Sequence, residues 1–286
     1  MTKTSLDLSG RIEQSTIDLL QSVQIVASEL SVDYFLIGAT ARDFLLEKAY
    51  GISTFRATLD YDLGIQLEDW ELFEDLKAAL IRTSHFTATR EMQRLVHRDG
   101  AFFDLIPFGP IGGRESIIKW PPDQSIEMDI AGFEESYQSA VNVILQKSPL
   151  VEVKAISLAG LVVLKLFSWN EKRHERNKDA SDLALIIRKY ADAGNSERIV
   201  AEFPDFLEQE DFDYIAAGAR LLGKDIRYSF GKESKKKILT ILHEETGEQE
   251  QYRLIEDMIQ TRAISGNDFA EMKKLMEEVI LGIRGN

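Results

Sequence analysis

The segment Thr58-Leu59-Asp60-Tyr61-Asp62-Leu63-Gly64-Ile65 constrains the fold more tightly than any other part of the chain. In a strand, residues two apart point to the same face. Leu59, Tyr61, Leu63 and Ile65 then take one face, and Asp60 and Asp62 take the other. Two like charges held that close repel, and a packed core would not tolerate them. A divalent cation removes the conflict. Hard cations such as Mg²⁺ take carboxylate oxygens and keep their remaining positions for water and phosphate.

A third aspartate, Asp104, sits in the apolar run Ala101–Phe108, flanked by Phe103 and Leu105. An ionised carboxylate in that setting needs a partner. Leu95-Val96-His97, Arg98-Asp99-Gly100 and Ala101–Phe108 read as a hairpin with Asp-Gly at the turn, so Phe102, Asp104 and Ile106 share a face. Structural pairings of Asp104 with Arg42 or Arg56 are the alternative to a metal. Upstream, Val32–Ile37 reads as a buried strand that ends in the small-residue turn Gly38-Ala39-Thr40. Such a turn before a helix presents backbone N–H groups and a positive dipole end, a ready anion site. Thr40 adds a hydroxyl there. Gly38 serving only as an ordinary tight turn is the competing explanation. Three aspartates on two adjacent strands, facing the same side as a phosphate-binding turn, would form a two-metal site.

With 286 residues the chain is long enough for one large domain or two smaller ones. It has no cysteine, which excludes disulfides, thiol catalysis and cysteine-ligated zinc. Its four histidines, His85, His97, His174 and His243, form no HExxH-like pair. The amino terminus lacks an apolar signal core and no stretch approaches the ~20 apolar residues of a membrane span, so a cytoplasmic location is expected. The net charge of −14 disfavours nonspecific adhesion to nucleic acid while leaving room for a local basic patch. Glu68–Asp75 and Glu202–Asp213 are acidic clusters; Lys165, Lys172, Arg173, Arg176 and Lys178 fall in one basic stretch.

Helical spacing marks Ile12–Leu30 and the stretch from Trp70 to Leu80, and Phe44-Leu45-Leu46 continue from the glycine turn into a helix. Short strands fit Ile126–Ile130 and Val151–Ala155. Ser157 is a good N-cap for a helix over Leu158–Trp169, followed by a helix over Ala180–Tyr190. Polar helical patterns cover Ile215–Leu222, Lys235–Leu242, Tyr252–Ile264 and Phe269–Leu281. An α/β module over 1–155 followed by a helical region over 156–286 is expected. Trp120 and Trp169 read as core anchors.

The helix around Lys165 is apolar nearly all round, so the lysine must be paired or must reach a cleft. Asp179 and Asp182, at helical spacing, are its candidate partners. A structural ion pair and a lysine that contacts a triphosphate while oriented by that aspartate are compatible readings. Lys172, Arg173, Arg176 and Lys178 are either a solvated helix end or a contact surface for triphosphate or RNA backbone.

The run Gly38-Ala39-Thr40-Ala41-Arg42-Asp43-Phe44-Leu45-Leu46, the Asp60-x-Asp62 pair and the later Asp104 resemble the polymerase-β-like nucleotidyltransferase superfamily. Lys165 … Trp169 … Arg173 … Lys178-Asp179-x-x-Asp182-Leu183 narrows the resemblance to the AbiEii/AbiGii-type nucleotidyltransferase toxins, over roughly Val32 to Tyr190. The resemblance implies an α/β (α+β) core with a small mixed sheet flanked by helices and a helical C-terminal region. It implies that Gly38, Ala39 and Thr40, with Arg42 of the same run, hold an NTP, and that Asp60, Asp62 and Asp104 bind Mg²⁺, with Mn²⁺ as a substitute. Asp104 would also help deprotonate the acceptor. Lys165 matches the family's lysine and Asp182 its later aspartate; Arg173 and Lys178 would join them on the NTP. Ala39 and Thr40 stand where the family usually has a second glycine or a serine, and alanine takes φ > 0 less cheaply. The stretch Ala41–Leu46 also resembles tRNA CCA-adding enzymes, whose RNA-binding helical domains are not recognisable here.

The first reading is a nucleotidyltransferase that transfers NMP to an acceptor hydroxyl, with tRNA as acceptor and a cognate antitoxin as partner. A protein side chain or a small molecule such as an aminoglycoside is the alternative acceptor, which the acidic surface suits. A degenerate nucleotide-binding or antitoxin-like module is the non-enzymatic alternative, and the presence of all three carboxylates argues against it.

Overall fold

Eight strands pair into one mixed sheet whose two faces differ in chemistry. The structure, a computed structural model, describes residues 5–54, 60–204, 211–246, 252–260 and 269–285. Contacts divide the chain into two units, Met1–Gly51 with Arg56–Ser157, and Ile52–Phe55 with Leu158–Asn286. Thr58, Leu59 and Arg56, residues 205–210 of the second acidic cluster, and residues 261–264 expected to end a helix lie outside the described residues.

The first unit contains β1 (Ser5–Asp7), β2 (Tyr34–Ile37), β3 (Asp60–Gln66), β4 (Phe86–Ala88), β5 (Arg94–His97), β6 (Phe102–Phe108), β9 (Val141–Lys147) and β10 (Leu150–Ala155), with β7 (Ile117–Trp120) and β8 (Ile126–Asp129) as a separate ribbon. The order across the sheet is β1-β9-β10-β2-β3-β6-β5-β4. β2 runs antiparallel to β3, β3 parallel to β6, and β6 antiparallel to β5. The hairpin turn forms at Arg98-Asp99-Gly100, where Gly100 has φ +93° and its N–H donates to the His97 carbonyl.

One face of β3 and β6 carries Tyr61, Leu63, Ile65, Phe103 and Leu105, the alternation expected of a half-apolar strand. It packs under α1 (Gln14–Glu29), which buries Ile17, Leu19, Leu20, Val23, Val26 and Ala27. The Tyr61 hydroxyl meets Thr16 of that helix at 2.9 Å. α3 (Trp70–Arg82) packs beside α1, its start capped by the Asp69 carboxylate accepting from the Leu72 N–H at 2.9 Å. Part of the first acidic cluster thus has a local structural use. Trp120 is buried against Trp70 and Phe73, a core anchor as the sequence indicates.

The opposite face changes character along its length. Gly64 lets the Phe35 ring lie across β3, since a Cβ there would come within 2.3 Å of the ring. Phe35 meets Phe108 and Tyr137 edge-on, with Tyr137 supplied by α4 (Phe133–Gln138). Phe35, Phe103 and Phe108 are fully buried, and each contributes about 1.5–3 kcal/mol by leaving water. The other end of this face holds Asp60 and Asp62.

The first unit holds more strands than the sequence pattern indicates. Ser5–Asp7, Phe86–Ala88, Ile117–Trp120 and Val141–Lys147 are strands that it does not single out. Three are only three or four residues long, too short for a period to show, and Asn142 and Gln146 interrupt the fourth. After Gly38 the chain enters α2 (Gly38–Asp43) directly, and Phe44–Lys48 form a π-helical turn in place of a regular helix.

The second unit is helical: α5 (Leu158–Glu171), α6 (Asn177–Lys189), α7 (Ser196–Glu202), α8 (Tyr214–Ser229), α9 (Lys232–Thr246), α10 (Arg253–Ile259) and α11 (Phe269–Arg284). α5 buries residues on all sides, Trp169 completely, as its apolar composition requires. α8 and α11 pack closely, with Arg220 to Glu278 at 2.6 Å and Lys274 to the α8 cap Asp213 at 2.7 Å. Among the described residues no helix is long and apolar enough to cross a membrane.

Candidate active site

Three elements bring the predicted residues of the first unit together. β2 ends at Ile37, whose register partner on β3 is Asp62. The next residue, Gly38, has φ +69° and opens α2. A Cβ at position 38 would stand 1.9 Å from Asp62 Oδ2 and 2.7 Å from Cγ. The carboxylate therefore lies directly over the glycine, which needs both its positive φ and its missing side chain. Ala39 lies within α2 and has no positive φ, so the departure from a second glycine costs nothing in backbone geometry.

Thr40 and Arg42 hold the turn in place. The Thr40 hydroxyl is buried and donates to the Asp60 carbonyl at 2.7 Å, tying α2 to the start of β3. Its proton is therefore committed to the main chain. Arg42 is fully buried, and its Nε and Nη2 donate to Asp43 Oδ1 at 2.9 and 2.6 Å. An arginine so enclosed braces the helix from within. It is not an exposed cation.

The aspartates stand in register across two strands. On parallel β3 and β6, Asp62 pairs with Asp104 and Asp60 with Phe102. Asp60 is exposed, while Asp62 and Asp104 are half-buried. Asp104 is held by Arg94, its cross-strand partner on β5, through Nε to Oδ1 at 2.7 Å and Nη2 to Oδ2 at 2.6 Å. This two-point pairing is the strong geometry for guanidinium and carboxylate. The Asp104 hydrogen bond also holds the arginine's pKa above its ordinary value. Arg94 thus takes the place considered for Arg42, while Arg56 lies outside the described residues. The hairpin itself contains the signal: counting outward from Asp99 pairs Val96 with Phe102, Leu95 with Phe103 and Arg94 with Asp104.

Behind the aspartates Tyr61 stacks on Phe103, with centroids 5.0 Å apart and planes 16° apart. Burial pushes the Tyr61 phenol up, so it stays neutral and serves as packing. Among the described residues no three His, Cys, Asp or Glu side chains are gathered as a ready metal cluster. The donor type nonetheless suits a hard divalent ion, being all carboxylate oxygen, while both oxygens of Asp104 are taken up by Arg94.

In the second unit, Lys165 is buried and its Nζ lies 2.9 Å from Asp179 Oδ1 and 2.7 Å from Asp182 Oδ2. Burial alone would lower its pKa, but the two carboxylates outweigh burial and raise it. Arg173 lies over the Trp169 ring at 5.1 Å and bonds Asn170 at 2.8 Å; Lys172, Arg176 and Lys178 are exposed. The Trp169 indole donates to Asp257 at 2.9 Å.

A mixed sheet bearing paired aspartates beside a glycine-opened helix, together with a helical region, defines a nucleotidyltransferase fold. The chain belongs to the AbiEii family, described as "Nucleotidyl transferase AbiEii toxin, Type IV TA system", which it matches over residues 18–273. It is therefore an enzyme of the nucleoside-monophosphate-transferring class. A comparison with curated proteins finds no match. Among solved structures it is similar to the antibiotic-resistance factor ANT(2″)-Ia in solution, at 14% identity and TM-score 0.38, over 69% of this chain and 100% of that one. It is also similar to an antigenic nucleotidyltransferase-like protein from Paracoccidioides brasiliensis, at 16% identity and TM-score 0.39, over 72% and 94% of the two chains. A CCA-adding enzyme in complex with ATP is similar at 15% identity and TM-score 0.34, over 96% and 70%.

Proposed function

We propose that the chain transfers a nucleoside monophosphate from an NTP to a hydroxyl of RNA, a tRNA 3′ end, and acts as a toxin restrained by a cognate antitoxin protein. The observation that carries this reading is the Asp62–Asp104 register beside Gly38, with Asp60 on the same face. In this reading Asp60, Asp62 and Asp104 hold Mg²⁺, for which Mn²⁺ substitutes. A divalent ion held there would neutralise triphosphate charge and favour the ionised acceptor oxygen. The backbone N–H groups of Gly38, Ala39 and Thr40 take triphosphate oxygens at the start of α2. Arg42 contributes from inside the helix by keeping Asp43, and with it the turn, in place. The acceptor oxygen attacks the α-phosphorus in line, Asp104 receives its proton, and pyrophosphate leaves. Fixed charge and position carry most of the acceleration in such a reaction.

The family resemblance assigns Lys165 to the triphosphate, with Asp182 and Asp179 fixing its direction and Arg173 and Lys178 as further cations. The two short ion pairs of Lys165 support the orienting part of that assignment. A cationic small molecule or a protein hydroxyl is the second reading, favoured by the net charge of −14.

The acceptor is identified by incubating the purified protein with Mg²⁺, each α-³²P-labelled NTP in turn, and a bacterial lysate. Label on a tRNA-sized band with one or two NTPs is the expected result. Label confined to protein or to a small cationic compound would move the acceptor to the second reading. Host toxicity that persists in Asp60→Ala would detach the toxin role from the transfer.

A further inference from the structure

Phe102 is the exposed aromatic of a strand whose other residues are buried or half-buried. It is 39% exposed, whereas Phe103, Leu105 and Phe108 on the same strand are fully buried. Its place makes that exposure informative. Its register partner is Asp60, so the ring stands beside the acidic pair and on the same face. The Arg94 guanidinium lies over the ring at 5.1 Å while its donors are fixed on both oxygens of Asp104. Arginine held at two points against a ring is a planar, positively charged surface that has already given up its rotamer freedom. Asp60, Phe102, Arg94 and Asp104 thus put a carboxylate pair and an aromatic–guanidinium surface side by side on adjacent strands. Burial accounts for only part of the Phe102 ring, which stays 39% exposed.

We propose that Phe102 and Arg94 form a stacking platform for a nucleobase at the edge of the carboxylate site. Bases bind single-stranded in this way, through their π-faces on aromatic rings and guanidinium planes, largely without regard to sequence. A nucleobase reaches such a platform either from the terminal acceptor nucleotide or from the NTP. The proposal rests on the nucleotidyl-transfer reading for its ligand class, but its test does not depend on turnover.

The test compares the wild-type protein with Phe102→Leu, which keeps apolar bulk and loses the ring, and with Phe102→Trp, which keeps a ring. Binding is read in EDTA by fluorescence anisotropy of a labelled single-stranded RNA pentamer with a 3′ hydroxyl, and of the same pentamer with an abasic 3′-terminal nucleotide. Separate titrations use each NTP. Phe102→Leu is expected to weaken intact pentamer, or else NTP, by about tenfold, with Phe102→Trp near wild type. If the weakened ligand is the pentamer, the abasic end should weaken the wild type similarly and Phe102→Leu little further, which assigns the platform to the acceptor. A loss confined to NTP assigns it to the donor base. Unchanged binding of both ligands by Phe102→Leu would overturn the platform, whatever transfer assays show. Intact platform behaviour with no NMP transfer to any acceptor would leave the platform standing and overturn the enzymatic reading.

Discussion

The Asp62 carboxylate lies where a side chain on Gly38 would have to be: Oδ2 is 1.9 Å from the ideal Cβ position. The glycine turn and the acidic strand are therefore one feature, and a side chain at position 38 must move Asp62. Gly38→Ala must displace Asp62 and hold a non-glycine residue at φ +69°. The backbone conformation alone costs about 1–2 kcal/mol. A lower Tm together with nearly complete loss of transfer is expected, whereas Ala39→Gly should retain activity because its backbone is helical.

Asp60→Asn and Asp62→Asn should each reduce transfer at least a hundredfold, since ligand loss exceeds the ~10–100-fold effect of outer-shell changes. Circular dichroism should show both variants folded. Mn²⁺ added to the wild type should raise Tm by binding only the folded state. An equal rise in Asp62→Asn would place the ion elsewhere.

Arg94→Met removes both charged hydrogen bonds from Asp104, whose side chain is 15% exposed. Leaving that acceptor without them should cost about 1–3 kcal/mol in metal-free buffer. Because the guanidinium no longer competes for the carboxylate, Mn²⁺ should stabilise the variant more than it stabilises the wild type. Thermal melts with and without the ion measure the difference. An identical increment in the two proteins would show that Arg94 and the ion do not share Asp104.

Lys165 ties α5 to α6 through two carboxylates, so Lys165→Met leaves Asp179 and Asp182 together without their ammonium. Losing one partner of a buried ionic cluster costs about 3–5 kcal/mol. The folded-state pKa of Lys165 is raised, so its contribution is fully present below the unfolded value of about 10.4. It is lost only as pH rises past that value and through the higher folded one. Urea melts between pH 7 and pH 11 should show stability that this lysine maintains at neutral pH and that declines only at the alkaline end. A decline already complete at pH 9 would contradict the pairing.

The sequence exposes the parts of this fold whose period is long enough to show. The alternation about Asp60 and Asp62, the Asp-Gly hairpin and the all-round apolar helix about Lys165 each follow from local chemistry, and the last predicts the partners Asp179 and Asp182. Strands such as Phe86–Ala88 escape notice because three residues are too few for an alternation to show, although the partner strand follows within a few residues. Arg42 illustrates a different limit. Its charge suggests a ligand, yet burial beside Asp43 is a tertiary outcome that no local pattern encodes. Arg94 was legible in principle, because hairpin register alone places it opposite Asp104. The exposure of Phe102 was not, since an aromatic flanked by Ala101 and Phe103 reads as core.

The central claim is that the carboxylates beside Gly38 carry nucleotidyl transfer to an RNA hydroxyl. Its most direct test is single-turnover labelling of bacterial RNA from α-³²P-labelled NTP by wild-type and Asp62→Asn proteins, with RNA whose 3′ hydroxyl has been blocked as a second control. Label on intact RNA from the wild type alone, absent with blocked RNA and reduced at least about a hundredfold in Asp62→Asn, is the expected result. Labelling by Asp62→Asn at the wild-type rate, or labelling indifferent to the blocked hydroxyl, would contradict the account.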